Sequence, residues 1–126
     1  MAGMTRLCAR ADVDLRIVRR AIEALPRVEA SWADVDRAPR QFVDEILADR
    51  VGYRDEWRDA MVRFDEIRRA ARAGRLTDHQ LARYQHLLAL AGPGLPSMQR
   101  LGLELRSESV LREFESRRQP VASTSG

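Results

Sequence analysis

Between positions 54 and 73 the apolar residues fall three and four apart: Trp57, Ala60, Met61, Phe64, Ile67 and Ala71. That spacing lines one face of a 3.6-residue period and predicts an amphipathic helix. Asp55 and Glu56 stand in its first turn and Arg68, Arg69 and Arg72 near its end, and both placements complement the helix dipole. Gly74 suits a C-terminal stop. Thr77 with Gln80 three residues on is a capping-box pattern, and Leu81, Tyr84, Leu88 and Ala91 then continue at steps of three and four. The link is short, so the two helices should fold back as an antiparallel hairpin over 54–91 that forms the main core.

The flanking segments extend the helical pattern. Phe42, Val43, Ile46 and Leu47 make a second stripe, opened by Pro39 and closed by Gly52, which predicts a supporting helix over 39–51. The stretch between Pro26 and Pro39, around Ser31-Trp32, reads as irregular. Gly92-Pro93-Gly94 should end the second hairpin helix, with a short turn restarting at Pro96. Met98, Leu101, Leu103 and Leu105 are apolar enough to pack back on the hairpin. Ser107 or Ser109 can cap a last helix carrying Val110, Leu111 and Phe114, so 96–118 is expected to be a C-terminal helical segment. The tail 119–126 is small and polar and is expected to be disordered. No stretch alternates apolar and polar residues with β-branched side chains, so no strand is predicted. The fold class is therefore all-α: a small helical bundle, one domain over 1–118.

Residues 4–23 carry the one motif with chemistry. Leu7 is a large apolar anchor, Cys8 and Ala11 are small where two helices would cross, and Asp12 stands at the turn position. Val13 follows as an apolar plug, Asp14 as an N-cap, and Val18, Ala21 and Ile22 as buried positions. The stretch resembles the bacterial helix-turn-helix signature, and its place at the start of the chain is similar to repressors of the lac type. Asp12 departs from the usual glycine; Asp is among the few residues that tolerate a left-handed backbone. The resemblance implies a helix-turn-helix-like unit over 4–25, buttressed by the helix at 39–51. It also implies that Leu15, Arg16, Arg19 and Arg20 lie on the outward side of a recognition helix near 14–24, where guanidiniums can bond guanine edges or clamp phosphates of double-stranded DNA.

Charge tempers that reading. The 126 residues hold 22 basic and 19 acidic side chains, net +3, and every basic residue is arginine. Residues 1–28 carry six arginines against three acids, whereas 29–52 carry three against six. The first segment is thus the most basic and an acidic one follows. Asp59–Arg63 and Asp65–Arg69 are spaced for salt bridges on a solvated face. Arg72 and Arg75 lack such partners and are possible phosphate contacts.

Other chemistry is thin. His79 and His86 lie seven apart on one helix, roughly 10 Å along its axis and too far to share a metal. The single cysteine excludes an internal disulfide. No catalytic constellation, cofactor loop or metal-ligand set is present, so the expectation is a non-enzyme with no cofactor and no metal. No apolar run reaches the ~20 residues of a membrane span, and no secretory signal precedes residue 15, so the expected compartment is the cytoplasm, most simply of a bacterium. Two functions follow: a small DNA-binding transcriptional regulator, possible as a homodimer, or a non-enzymatic protein–protein interaction module (adaptor, assembly subunit or inhibitor) using the 54–91 hairpin.

Overall fold

The computed structural model describes the backbone of residues 2–116 and the side chains of residues 10–116. The side chains of Leu7 and Cys8 and the expected disordered tail 119–126 lie outside the described residues. The described residues form five α-helices: α1 (Ala2–Glu23), α2 (Leu25–Ala33), α3 (Arg40–Arg72), α4 (Asp78–Arg100) and α5 (Glu108–Glu115), with a 3-10 turn at Asp34–Arg37 between α2 and α3. The all-α bundle is as the pattern required.

The order of the elements follows from paired residues. Arg10 bonds Glu66, Asp14 bonds Arg63 and the Tyr53 hydroxyl donates to the Ala21 carbonyl, so α1 runs antiparallel to α3. Asp12 accepts from Gln80 and Ser97 donates to Glu29, and both pairs are 68 positions apart. A constant offset means that α1 and α2 together form one rod running parallel to α4. The rod bends only slightly at Ala24, because Pro26 has no N–H to give the carbonyl one turn back. The expected irregular stretch around Trp32 is thus largely α2, with Pro26 in the first turn where a missing N–H costs little.

The backbones of α3 and α4 approach each other little; α1 packs closely against both and fills the space between them. Leu15, Val18, Ile22, Trp57, Phe64, Leu87 and Leu95 are all buried there. The hairpin's own helices meet through side chains, with Phe64 stacked on Tyr84 at 5.8 Å between centroids; Phe114 of α5 packs tilted against Phe64 at 4.8 Å. Trp57 and Leu87 are core residues, as is most of the hairpin face; Leu81 alone of its predicted stripe is exposed.

Local signals set the helix ends. Gly74 takes φ +68°, and the Arg75 amide reaches back to the Ala70 carbonyl, closing α3 in a Schellman turn. Gly102, at φ +65°, does the same for α4, and its flanking Leu103 and Met98 are both buried. Thr77 and Gln80 form the predicted capping box, each bond 3.1 Å, and Ser107 rather than Ser109 caps α5.

Two predicted breaks are absent. Gly52 sits inside one continuous helix, α3, which joins the expected helices at 39–51 and 54–73. Glycine in a helix costs only about 1 kcal/mol, and nothing at this position demands a turn. Likewise α4 runs through Gly92, Pro93 and Pro96 to Arg100. Leu95 and Met98 continue its buried face there, and that burial offsets the lost backbone bonds. Gly94 also lets α2 in closely, since a Cβ at that position would lie 3.0 Å from Leu25 Cδ1.

Candidate functional site

The helix-turn-helix arrangement does not form. Asp12 lies inside α1, and its carboxylate accepts from Gln80 Nε2 at 3.2 Å and Arg83 Nη1 at 3.4 Å. Those bonds hold it against α4 as an ordinary helical residue, and without glycine nothing else stops the helix. Val13, read as a plug, is 44% exposed. Asp14, read as an N-cap, is buried mid-helix and bonds Arg63 Nη1 at 2.6 Å. Leu15, read as outward, is only 1% exposed and packs between α1 and α4. Val18, Ala21 and Ile22 are buried as expected.

Arg16, Arg19 and Arg20 do share an exposed edge of α1, together with Glu23. Arg19 is tied to Glu23 at 2.6 Å, one turn on. Among the described residues no ion pair engages Arg16 or Arg20. Arg72 pairs with Glu113 at 3.1 Å, across to α5, which corrects its expected freedom; Arg75 is exposed, with no such pair among the described residues. The sequence could not show the Arg72 pair because its partner is 41 positions away.

Several other arginines tie helices together, and others pair within their own helix. Arg63 bridges Asp59 and Asp14, and both carboxylates raise its pKa. Asp65 is buried; burial alone would push its pKa up, but Arg68 at 2.7 Å, with Arg69 and Arg106, holds it below the ordinary value. Glu29 is lowered by Arg100 and by Ser97, which donates at 2.6 Å. Arginine thus serves bonds both within and between elements. His79 and His86 line a cleft of about 190 Å³ between α1 and α4, with Arg19, Arg83 and Leu15. Among the described residues no cluster of His, Cys, Asp and Glu is arranged to hold a metal ion.

The most unusual surface is the first third of α3. Every side chain over 40–52 is exposed or half-buried, and the first buried residue is Tyr53. The stripe of Phe42, Val43, Ile46 and Leu47 was expected to support a core. Instead Phe42 is 44% exposed, Leu47 42% and Val51 61%. Phe42, Val43 and Ile46 continue the core-facing side of α3, whereas Val51, two residues from buried Tyr53, turns away from it. Three of the six exposed large hydrophobics of the described residues fall in this one segment.

At the root of this arm, Trp32 stands edge-on to Tyr53 at 6.4 Å. Arg50 and Arg54 lie over its ring at 4.7 and 5.3 Å. Arg50 Nη2 donates to the Trp32 carbonyl at 3.4 Å, while its buried Nε has no partner. Beside them a cleft of about 410 Å³ opens between α2 and α3, with Val28, Trp32 and Tyr53 on its walls and Asp49 and Glu56 at its rim. Periodicity alone flagged the stripe, but a period says nothing about what lies opposite it. Val51 went unnoticed because it sits beside the expected stop at Gly52.

No helix of the described residues is long and apolar enough to cross a membrane. No protein family, curated protein or solved structure matches the chain.

Proposed function

We propose that this protein is a non-enzymatic helical module that binds another protein through the apolar stripe of the α3 arm. The observation that carries the reading is that Phe42, Ile46 and Leu47, at one side of a half-helix, remain exposed or only half-buried. A contiguous exposed apolar strip on an otherwise charged surface marks a contact site, and a helix face with anchors at i, i+4 and i+5 suits helix-on-helix docking. The contact surface is thus the arm, not the 54–91 hairpin, whose large apolar residues Trp57 and Leu87 are used up in the core. The test compares wild type with Phe42→Asp/Leu47→Asp. The double variant should keep its urea midpoint and lose a hetero-complex that, in wild type, survives high salt. A complex that persists on the double variant refutes the reading.

One observation favours a second reading. Arg16 and Arg20 are exposed on α1 without an ion-pair partner among the described residues, and such groups can lie along a phosphate backbone. In that reading duplex DNA is bound without a recognition helix, weakly and independently of sequence. Two phosphate contacts imply a log–log salt slope of about −2. Absence of any duplex shift at low salt removes it.

A further inference from the structure

Both histidines of the chain stand on one cleft, the space of about 190 Å³ where α1 meets α4. His79, Arg83 and His86 follow one another at steps of four and three, so they line a single stripe of α4 with the guanidinium between the imidazoles. Arg19 faces them from α1, and buried Leu15 and Leu87 form the floor.

The two guanidiniums are held but not used up. Arg19 gives its Nε to Glu23 at 2.6 Å, and Arg83 gives Nη1 to Asp12 at 3.4 Å. A guanidinium carries five N–H donors, so each keeps others for a ligand while its carboxylate steadies the side chain. The same carboxylates cancel the charge. Two positive groups, Arg19 and Arg83, stand against two negative ones, Asp12 and Glu23. Asp78, the residue before His79, lies a ~100° turn away around α4 and has no part in the lining. Among the described residues no ion pair engages either imidazole.

Imidazole is the side chain that changes charge between about pH 5 and 8. A neutral medium therefore leaves the cleft without net charge. A weakly acidic one adds up to two positive charges with no carboxylate left over to cancel them, and each protonated ring donates from both nitrogens. We propose that this cleft binds a phosphate group between Arg19, Arg83 and the two histidines, and that acid strengthens the hold. The cleft is smaller than the ~300 Å³ at which sites for whole small molecules begin, so it takes the phosphate group and leaves the rest of its bearer outside. The site lies on α1 and α4, apart from the α3 arm, and does not depend on the interaction reading.

The experiment uses the full chain and sulfate as probe. Sulfate stays a dianion across this range, whereas a phosphate monoester changes its own charge near pH 6. Titrations at pH 5.5 and 7.5 and constant ionic strength are followed by amide NMR. Shifts should centre on 79–87 and 15–19, and affinity should be about tenfold higher at pH 5.5, the worth of two exposed ion pairs. His79→Gln/His86→Gln should keep the urea midpoint, since both side chains are exposed, and should bind sulfate equally weakly at both pH values. Arg16→Ala/Arg20→Ala should keep the full acid response, which separates this site from the duplex reading above.

A short duplex run in parallel names the source of the phosphate. Duplex binding with the same acid response, lost in the double histidine variant, identifies a nucleic-acid backbone; sulfate held while the duplex is ignored identifies a small phosphorylated compound. Absence of saturable sulfate binding at pH 5.5 overturns the proposal. So do equal affinities at the two pH values, shifts centred elsewhere, or an acid response that survives His79→Gln/His86→Gln.

Discussion

Replacing Leu15 by alanine separates two pictures of α1 with one number. On the outward face of a projecting helix, the change would remove a solvated side chain and cost under about 0.5 kcal/mol. In the structure Leu15 is 1% exposed and lies where α1 meets α4, beside Leu87. Truncation there removes three buried carbons and leaves a hole that rigid helices on either side cannot close. Large-to-small changes of this kind cost about 2–5 kcal/mol. Leu15 lies midway along α1, with Asp14 and Val18 anchored on either side, so the helix has little freedom to collapse inward. A value of about 3 kcal/mol is expected. For a chain of this size that lowers Tm by roughly 10–15 °C. The assay is urea unfolding followed by far-ultraviolet circular dichroism, with Arg16→Ala as the neighbouring control. Arg16 is exposed and has no ion pair among the described residues, so its midpoint should move by less than about 0.5 kcal/mol. A Leu15→Ala loss below about 1 kcal/mol, or equal losses for the two variants, would refute the packing of α1 between the long helices.

Other outcomes follow from the caps and the titrating groups. Thr77→Ala breaks the capping box of α4 and should cost about 1 kcal/mol by thermal melting, with Ser109→Ala, which caps nothing, unchanged. Asp65 and Glu29 ionise more readily folded than unfolded, so the stability they add is whole above the ordinary carboxylate range and is lost as pH falls through their lowered folded values. Acid titration of unfolding should therefore show a decline that begins below pH 4.5, and Asp65→Asn should flatten its lower limb. Tyr53 and Tyr84 shift the other way: burial raises both, and Glu113, 2.9 Å from the Tyr84 hydroxyl, raises Tyr84 further. Their contribution is complete below the unfolded value of 10.0 and is lost as pH rises beyond it, so Tyr84→Phe should blunt alkaline unfolding.

The amino-acid pattern alone determined the helical class, because a 3.6-residue period and good helix formers need no distant partner. It also determined the stop at Gly74 and the box at Thr77, since each is a bond between near neighbours, and narrowed the cap of α5 to Ser107 or Ser109. Gly52 and the Gly92-Pro93-Gly94 run both misled. At Gly92-Pro93-Gly94 a local penalty of a few kcal/mol was overruled by burial that only distant residues supply, whereas at Gly52 a cost of about 1 kcal/mol is too small to end a helix. Which face of α1 turns inward was also beyond local reach. The same stripe of apolar residues fits two short helices or one long one. The choice fell to Asp12 finding Gln80 and Asp14 finding Arg63, contacts spanning 68 and 49 positions. The stripe at 42–51 posed the converse case. Its period promised a core, and tertiary structure left it exposed or only half-buried, with α2 set off from this end of α3 by a cleft. Periodicity reports that a face is apolar; only the neighbours that reach it decide whether that face is buried or offered to a partner.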